Sequence, residues 1–290
     1  MIWSDGCFGG KGGNMDIQHL RKWIGRTETQ SEGVTPSLVQ RFNATFDREG
    51  ETGAGSAAPL LVHLCLAPPA APTSQLGPDG HPARGGFLPP VPLPRRMWAG
   101  GAFTFHDVIR VGETVTRTST IQDVVVKEGR SGTLCFVTVV HEIDSDGRAV
   151  LTERQDIVYR GPDPEGAAAK ALPAAPHGAH RVQVNPSAAL LFRYSALTFN
   201  GHRIHYDAPY VRDEEGYPGL IVHGPMQATM LAQFAETIKG APPAQFDFRS
   251  LSPLFDDADF TLNATVEGEG LRLWTAYVDG PVAMEATATW

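Results

Sequence analysis

At 290 residues the chain is long enough for one large domain or two of ordinary size. An apolar share of 42% and a charged share of 19% allow a sizeable core. The net charge of -8, with no basic stripe, argues against nucleic acid as the main partner, and an acidic ligand would need a local patch of positive charge.

Residues 1–14 hold five glycines and lack the basic start and apolar core of a signal peptide. Gly9-Gly10-Lys11-Gly12-Gly13 is neither a P-loop nor a dinucleotide fingerprint, because no strand precedes it and no helix follows. The segment reads as a disordered leader or extension before a start at Met15. Asp16 to Gly25 is a short helix with Ile17, Leu20, Trp23 and Ile24 on one side. Thr35-Pro36 opens a second helix that runs from Ser37 to about Phe46, with Thr35 as N-cap and Pro36 in the first turn.

Pro59 to Leu66 is the longest apolar run, a short strand or helix start, and it is too short to cross a bilayer. Ala67 to Pro94 is a long Pro/Gly loop of the kind that is functional or disordered. It ends in Arg95-Arg96-Met97-Trp98-Ala99-Gly100-Gly101. Two arginines and an aromatic could clamp phosphates and stack on a purine, or form an exposed loop end packed down by Trp98. From Ala102 to Tyr159 the pattern is an antiparallel meander, with hairpin turns at residues 128–132 and 144–147. Cys7, Cys65 and Cys135 form no disulfide framework, which points to a reducing compartment and a cytoplasmic protein.

Gly161 to His180 is a Pro/Ala/Gly linker. Beyond it come a short strand at 181–184, a helix capped by Asn185-Pro186-Ser187, a polar loop, and Pro218 to Val222 as a short apolar strand. The helix after Gly224 places Met226, Met230, Leu231, Phe234 and Ile238 on one face, with alanines elsewhere, and so is buried. Residues 259–268, 271–278 and 282–290 alternate as strands. No strong residue-level repeat is visible, but the two halves follow corresponding orders of elements. The fold class is α+β, with two antiparallel sheets each wrapped around a helix. The division is 15–160 as the N-terminal half, 161–180 as linker and 181–290 as the C-terminal half.

The chemistry is concentrated between Arg193 and Asp207. His205 is an acid/base matched to neutral pH, and Asn200 lies five residues before it. The N-terminus of the helix at Gly224 offers backbone N–H groups and a favourable dipole to an oxyanion, although Pro225 has no N–H to give. His202, Asp207 and His223 are candidate supports for proton transfer, and each could equally be an ordinary hydrogen-bonded side chain. Arg193, Arg203 and Arg249 could pair with a carboxylate or with CoA phosphates, or make surface salt bridges. The His202/His205/Asp207 spacing is a weak metal pattern, and no metal is expected.

Thr198-Phe199-Asn200-Gly201-His202-Arg203-Ile204-His205, followed by Gly219-Leu220-Ile221-Val222-His223-Gly224, resembles the MaoC-like, (R)-specific enoyl-thioester hydratases. Within them it is most similar to the subgroup of mesaconyl-C4-CoA hydratase and the type 2 hydroxyacyl-thioester dehydratases. Arg193 to Asn200, His202 to Asp207, Trp23-Ile24-Gly25-Arg26 and Met97 to Gly101 carry the likeness, which spans most of the chain after Met15. It implies a double hot-dog fold, an N-terminal half that shapes the acyl pocket, and a catalytic C-terminal half. By position His205 matches the catalytic histidine, and Asn200 stands where the wider family has Asp. An amide can orient water but cannot accept a proton at neutral pH.

The reaction implied interconverts 2-enoyl-CoA and 3-hydroxyacyl-CoA, with a short branched dicarboxylyl group such as mesaconyl-C4-CoA as the expected substrate. Catalysis is assigned to His205 and Asn200, oxyanion contacts to Gly224, and substrate or CoA binding to Arg95, Arg96, Arg193 and Arg203. No cofactor, nucleic acid or membrane is implied. A homodimer is compatible with the resemblance, although edge-to-edge pairing of the two halves could be satisfied within one chain. The alternatives are an acyl-CoA thioesterase on the same architecture and a catalytically silent thioester-binding protein.

Overall fold

The computed structural model describes residues 15–129, 132–161 and 172–290. The glycine-rich leader and residues 162–171, half of the linker, lie outside the described residues. The first half contributes β1 (Thr27–Gly33), β2 (Arg95–Phe105), β3 (Thr114–Gly129), β4 (Gly132–Ser145) and β5 (Arg148–Arg160). The second contributes β6 (His180–Val184), β7 (Gln245–Ser250), β8 (Phe260–Glu267), β9 (Gly270–Tyr277) and β10 (Val282–Thr289). The first half is ordered β1-β3-β4-β5-β2 and the second β6-β8-β9-β10-β7. Counted from each half's own first strand, the two orders are the same.

The halves meet where β2 pairs antiparallel with β7, from Gly100 opposite Arg249 to Thr104 opposite Gln245. This joins them into one ten-stranded sheet, so the edge-to-edge pairing is made within the chain. Glycine is required at the seam, since a Cβ on Gly100 would stand 2.7 Å from the Phe248 carbonyl oxygen. Phe103 and Phe248 stack across it with centroids 5.5 Å apart, adding to the burial of two large apolar side chains. The β4–β5 turn places Asp146 and Gly147 at φ of 46° and 79°, the left-handed geometry that tight hairpins use.

Both strands that the sequence did not announce have a physical reason. β1 is Thr-Glu-Thr-Gln-Ser-Glu-Gly, with no apolar residue to alternate. β2 begins at Arg95, seven residues before the β pattern read from Ala102, and carries the glycines that mask strand character.

The helices fill the concave side. α1 (Ile17–Leu20) continues as a 3-10 turn at Arg21–Trp23. α2 (Pro36–Thr45) is capped by Thr35, as expected, and packs near α3 (Ala188–Leu197). α4 (Ala208–Asp213) is short. α5 (Gly224–Lys239) is the central helix of the second half and stops at Gly240, whose φ is 73°. It is enclosed on more sides than its apolar stripe alone suggests. Gln227 and Gln233 are buried too, and both are satisfied: Thr275 Oγ1 donates to Gln227 Oε1 at 2.7 Å, and Gln233 Nε2 donates to the Leu60 carbonyl at 3.1 Å.

In the first half the corresponding helix is reduced to a 3-10 turn, Val62–Cys65. Pro68 and Pro69 follow too closely for a longer helix. The long loop after it folds back across the second half. No helix among the described residues is long and apolar enough to cross a membrane.

Candidate active site

α3 ends in a Schellman motif: the Phe199 N–H reaches the Ala196 carbonyl at 3.4 Å and the Asn200 N–H the Ser195 carbonyl at 2.8 Å. The left-handed residue is Phe199, with φ of 49°, and not Asn200. Asn200 then turns the chain. Its Oδ1 accepts the His202 N–H at 3.0 Å, which leaves the side-chain NH2 free to donate. A 3-10 turn at Arg203–His205 points the His205 ring inward.

His205 is 7% exposed, and its Nδ1 lies 2.7 Å from the Ile221 carbonyl. A carbonyl can only accept, so Nδ1 carries the hydrogen and Nε2 is left with its lone pair. Burial lowers the imidazole pKa to about 4, against the opposing pull of the Ile221 hydrogen bond. At neutral pH the ring is therefore a neutral base with a defined tautomer.

His223 stacks on His205 with centroids 3.6 Å apart and planes 16° apart. Its Nε2 lies 2.8 Å from Ser195 Oγ, and its Nδ1 is buried without a protein partner. Burial and the neighbouring histidines hold it uncharged. It directly precedes α5 and does not cap it with its side chain, so the helix N-terminus at Gly224 stays available beside the two rings. A Cβ on Gly224 would meet the Trp98 ring at 3.6 Å, which makes Trp98 the opposite wall.

His202 meets His205 edge to face, with centroids 5.5 Å apart, and His81 at 4.0 Å. His81 Nδ1 in turn lies 3.0 Å from Asp79 Oδ2. Burial favours the neutral form of both rings. Burial also works against the Asp79 charge, but the His81 hydrogen bond outweighs it and the carboxyl stays ionised. A column of four imidazoles thus runs from the long loop of the first half to the N-terminus of α5. Asp79 and His81 were not anticipated from the sequence: a Pro-Asp-Gly-His-Pro turn in a Pro-rich loop carries no sign of a partner so far along the chain. What seats them is backbone contact. The Arg203 N–H donates to the Asp79 carbonyl at 2.9 Å, and Gly80, at φ of 85°, presses so closely on Gly201 that a Cβ would overlap its carbonyl.

The other candidates separate clearly. Asp207 faces Arg203, at 2.8 Å, and its Oδ1 accepts the Tyr210 N–H to cap α4, so it supports the loop and not the proton. Arg203 also lies 4.0 Å over the Tyr210 ring and donates to the Pro78 carbonyl. Arg95 pairs with Glu215 at 3.7 Å, and Arg249 with Glu285 at 3.6 Å. Arg193 donates to the Ala44 carbonyl and lines a cavity of about 740 Å³ with Arg41, Phe192 and Phe199. Arg96 sits on β2 near His81 and His202. The spaced set His202/His205/Asp207 does not converge as metal ligands. Asp79, His81 and His202 do bring ligand atoms within 4.8 Å of one another, although Asp79 is here engaged by His81.

Comparison with known proteins gives this arrangement a lineage. Residues 61–256 match the family model of hydroxyacyl-thioester dehydratase type 2. The chain is 45% identical over 269 residues to mesaconyl-C(4)-CoA hydratase of Chloroflexus aurantiacus, covering 91% of this chain and 95% of the relative. Among solved structures it is similar to HtdX of Mycobacterium tuberculosis, with a TM-score of 0.65, 20% identity, and 91% and 99% of the two chains covered. A second M. tuberculosis protein, described as having a double hotdog fold, matches with a TM-score of 0.57 at 13% identity, over 92% and 96% of the chains. The fold is the double hot-dog, and the chain belongs to the hydroxyacyl-thioester dehydratase type 2 family.

Proposed function

We propose that this protein is a hydro-lyase that interconverts 2-enoyl-CoA and 3-hydroxyacyl-CoA thioesters, with a short branched dicarboxylyl chain of the mesaconyl-C4 kind as its acyl group. The observation that carries the reading is the fixed tautomer of His205, a buried neutral imidazole with Nε2 as lone pair beside an uncapped helix N-terminus. In the hydration direction, Nε2 removes a proton from water as the oxygen bonds to the β-carbon. Electron density moves to the thioester oxygen, which the α5 N-terminus stabilises. The imidazolium then returns its proton to the α-carbon, so the water is added in full and the ring is regenerated. Asn200 orients the water through its free NH2 group. His202 and His223 keep the surroundings of His205 uncharged and tightly packed.

For the CoA moiety, the cavity with Arg41 and Arg193 supplies the positive patch that a chain of net charge -8 requires. A cytoplasmic setting fits the two free, buried cysteines Cys65 and Cys135. The thioesterase reading asks for water activated against the carbonyl, and the silent-binder reading asks for a site without a base. A neutral His205 with an open Nε2 speaks against the silent binder, and the match to the dehydratase family favours hydration over thioester hydrolysis.

The test is turnover of mesaconyl-C4-CoA followed through its enoyl-thioester absorbance, with free thiol measured in parallel. His205→Ala is expected to abolish hydration without releasing thiol. Retained hydration by that variant removes His205 as the base, and thiol release by the unaltered protein favours the thioesterase.

A further inference from the structure

Arg96 is a cation that meets no anion among the described residues. None of the ion pairs among the described residues includes it, while Arg95 has Glu215 and Arg203 has Asp207. It is half-buried on β2, opposite Tyr159 of β5 in the sheet register. Cross-strand partners project from the same face, so the guanidinium and the phenol stand side by side. Burial raises the Tyr159 pKa, and the charge and hydrogen bond of Arg96 oppose that rise. Arg84 lies 5.8 Å over the same phenol ring, its own N–H groups taken by the carbonyls of Val91, Leu93 and Pro94. Both guanidiniums bear on His81, and that of Arg96 on His202 as well. The nearby acid is Asp79, and it is held by His81. Two arginines therefore leave a net positive pocket next to the catalytic histidines, where burial makes an unmatched charge costly.

The strand carries this positive patch towards the N-terminus of α5. Arg96 and Trp98 are two residues apart on β2 and share a face, and Trp98 forms the wall against Gly224. Two residues of strand advance by roughly 6.6 Å. A thioester oxygen at the α5 N-terminus, beside Trp98, would leave the far carboxylate of a short diacid chain on the Arg96 side of that ring, within reach of the long guanidinium side chain. We infer that Arg96, with Tyr159 beside it, is the specificity-determining residue that binds the free carboxylate of the acyl chain, which makes the pocket selective for dicarboxylyl thioesters over uncharged ones of the same length.

This inference rests on the hydratase reading for its geometry, but binding can test it alone. Saturated thioesters cannot be hydrated, so succinyl-CoA and butyryl-CoA report binding of a charged and an uncharged chain. By titration calorimetry the unaltered protein should bind succinyl-CoA about 10- to 100-fold more tightly, the range expected of a charged hydrogen-bonded pair. Arg96→Gln should remove that preference and leave butyryl-CoA within about threefold of its original affinity, and Arg96→Lys should restore part of it. In turnover, Arg96→Gln should lower kcat/KM for mesaconyl-C4-CoA by a similar factor and spare crotonyl-CoA. Equal losses for both chains in Arg96→Gln would make Arg96 a CoA-phosphate contact or a fold support, and unchanged preference would remove it from the pocket; either result overturns the inference. If the carboxylate preference in binding is lost in Arg96→Gln but the unaltered protein hydrates neither enoyl-CoA, the inference stands and the hydratase reading fails.

Discussion

The neutral state of His205 makes a quantitative claim about acid. Its ring has an ordinary value of about 6.5 when the chain is unfolded, and burial brings it to about 4 in the fold. The unfolded state therefore takes up a proton on this ring as pH falls below about 6.5, while the folded state refuses it until about 4. A folded value below the unfolded one means the stabilising effect is complete above about pH 6.5 and is lost as pH falls towards 4. Between about pH 7.5 and pH 5 the linkage relation gives a loss of about 2 kcal/mol from this one ring. His81, His202 and His223 are displaced in the same direction and add to the wild-type loss. Comparison with His205→Gln isolates the central ring. Urea unfolding at the two pH values should show the wild type losing at least about 2 kcal/mol more than the variant. The charge of His205 also bears on His202 and His223, so removing it eases them and widens the gap. Activity has a matching signature, an acid limb in kcat/KM near pH 4 instead of near 6.5. Parallel stability losses in wild type and variant would refute the buried neutral ring as the source.

Two further outcomes follow from contacts away from the base. Gly80→Ala forces a side chain into the Gly201 carbonyl at a φ of 85°, so the long loop must lift from the catalytic loop; kcat/KM should fall by at least about tenfold with a small change in Tm, and a wild-type rate would show that the loop contact is dispensable. Glu153 is 1% exposed, and although burial works against its charge, the His63 hydrogen bond and the nearby histidines hold its pKa at about 2. His63→Leu should cost about 3–5 kcal/mol in urea unfolding by leaving that buried carboxylate with the neutral Gln155 amide in place of its histidine partner, and the double variant His63→Leu/Glu153→Leu should recover most of it; a cost below about 1 kcal/mol for the single change would show that the pair is solvated.

The C-terminal half was legible because its signals are local. Helix caps, the apolar circumference of α5 and the glycine-bearing turns each act over a few residues, and Arg193 to Asp207 carries its reactive groups in one contiguous run. What could not be read was whatever depends on distant partners. β1 has no apolar residue and is a strand because β3 lies beside it, with Thr27 opposite Thr120. Asp79 and His81 look like turn residues until Gly80 is set against Gly201. Arg95 and Arg96 are adjacent and alike in sequence, yet alternate pleat positions send one to Glu215 and the other towards the histidines. The first half's central helix was expected by analogy with the second, and Pro68 and Pro69 leave it a single turn.

The amide at Asn200, where the wider family carries a carboxylate, becomes intelligible in this setting. A carboxylate there would stand beside a histidine column that burial keeps neutral, would favour the imidazolium form of His205, and would raise its pKa towards the working pH. An amide makes the same backbone contact to His202 without adding charge. The column then works as an uncharged, tightly stacked unit whose proton capacity resides at one atom, His205 Nε2, selected by the Ile221 carbonyl at the opposite ring nitrogen. Charge is concentrated instead at the far wall, on Arg84 and Arg96, where it can meet the substrate and not the base. Separating the base from the charged wall lets an acyl chain with a free carboxylate bind without shifting the ring that must remain neutral to deprotonate water.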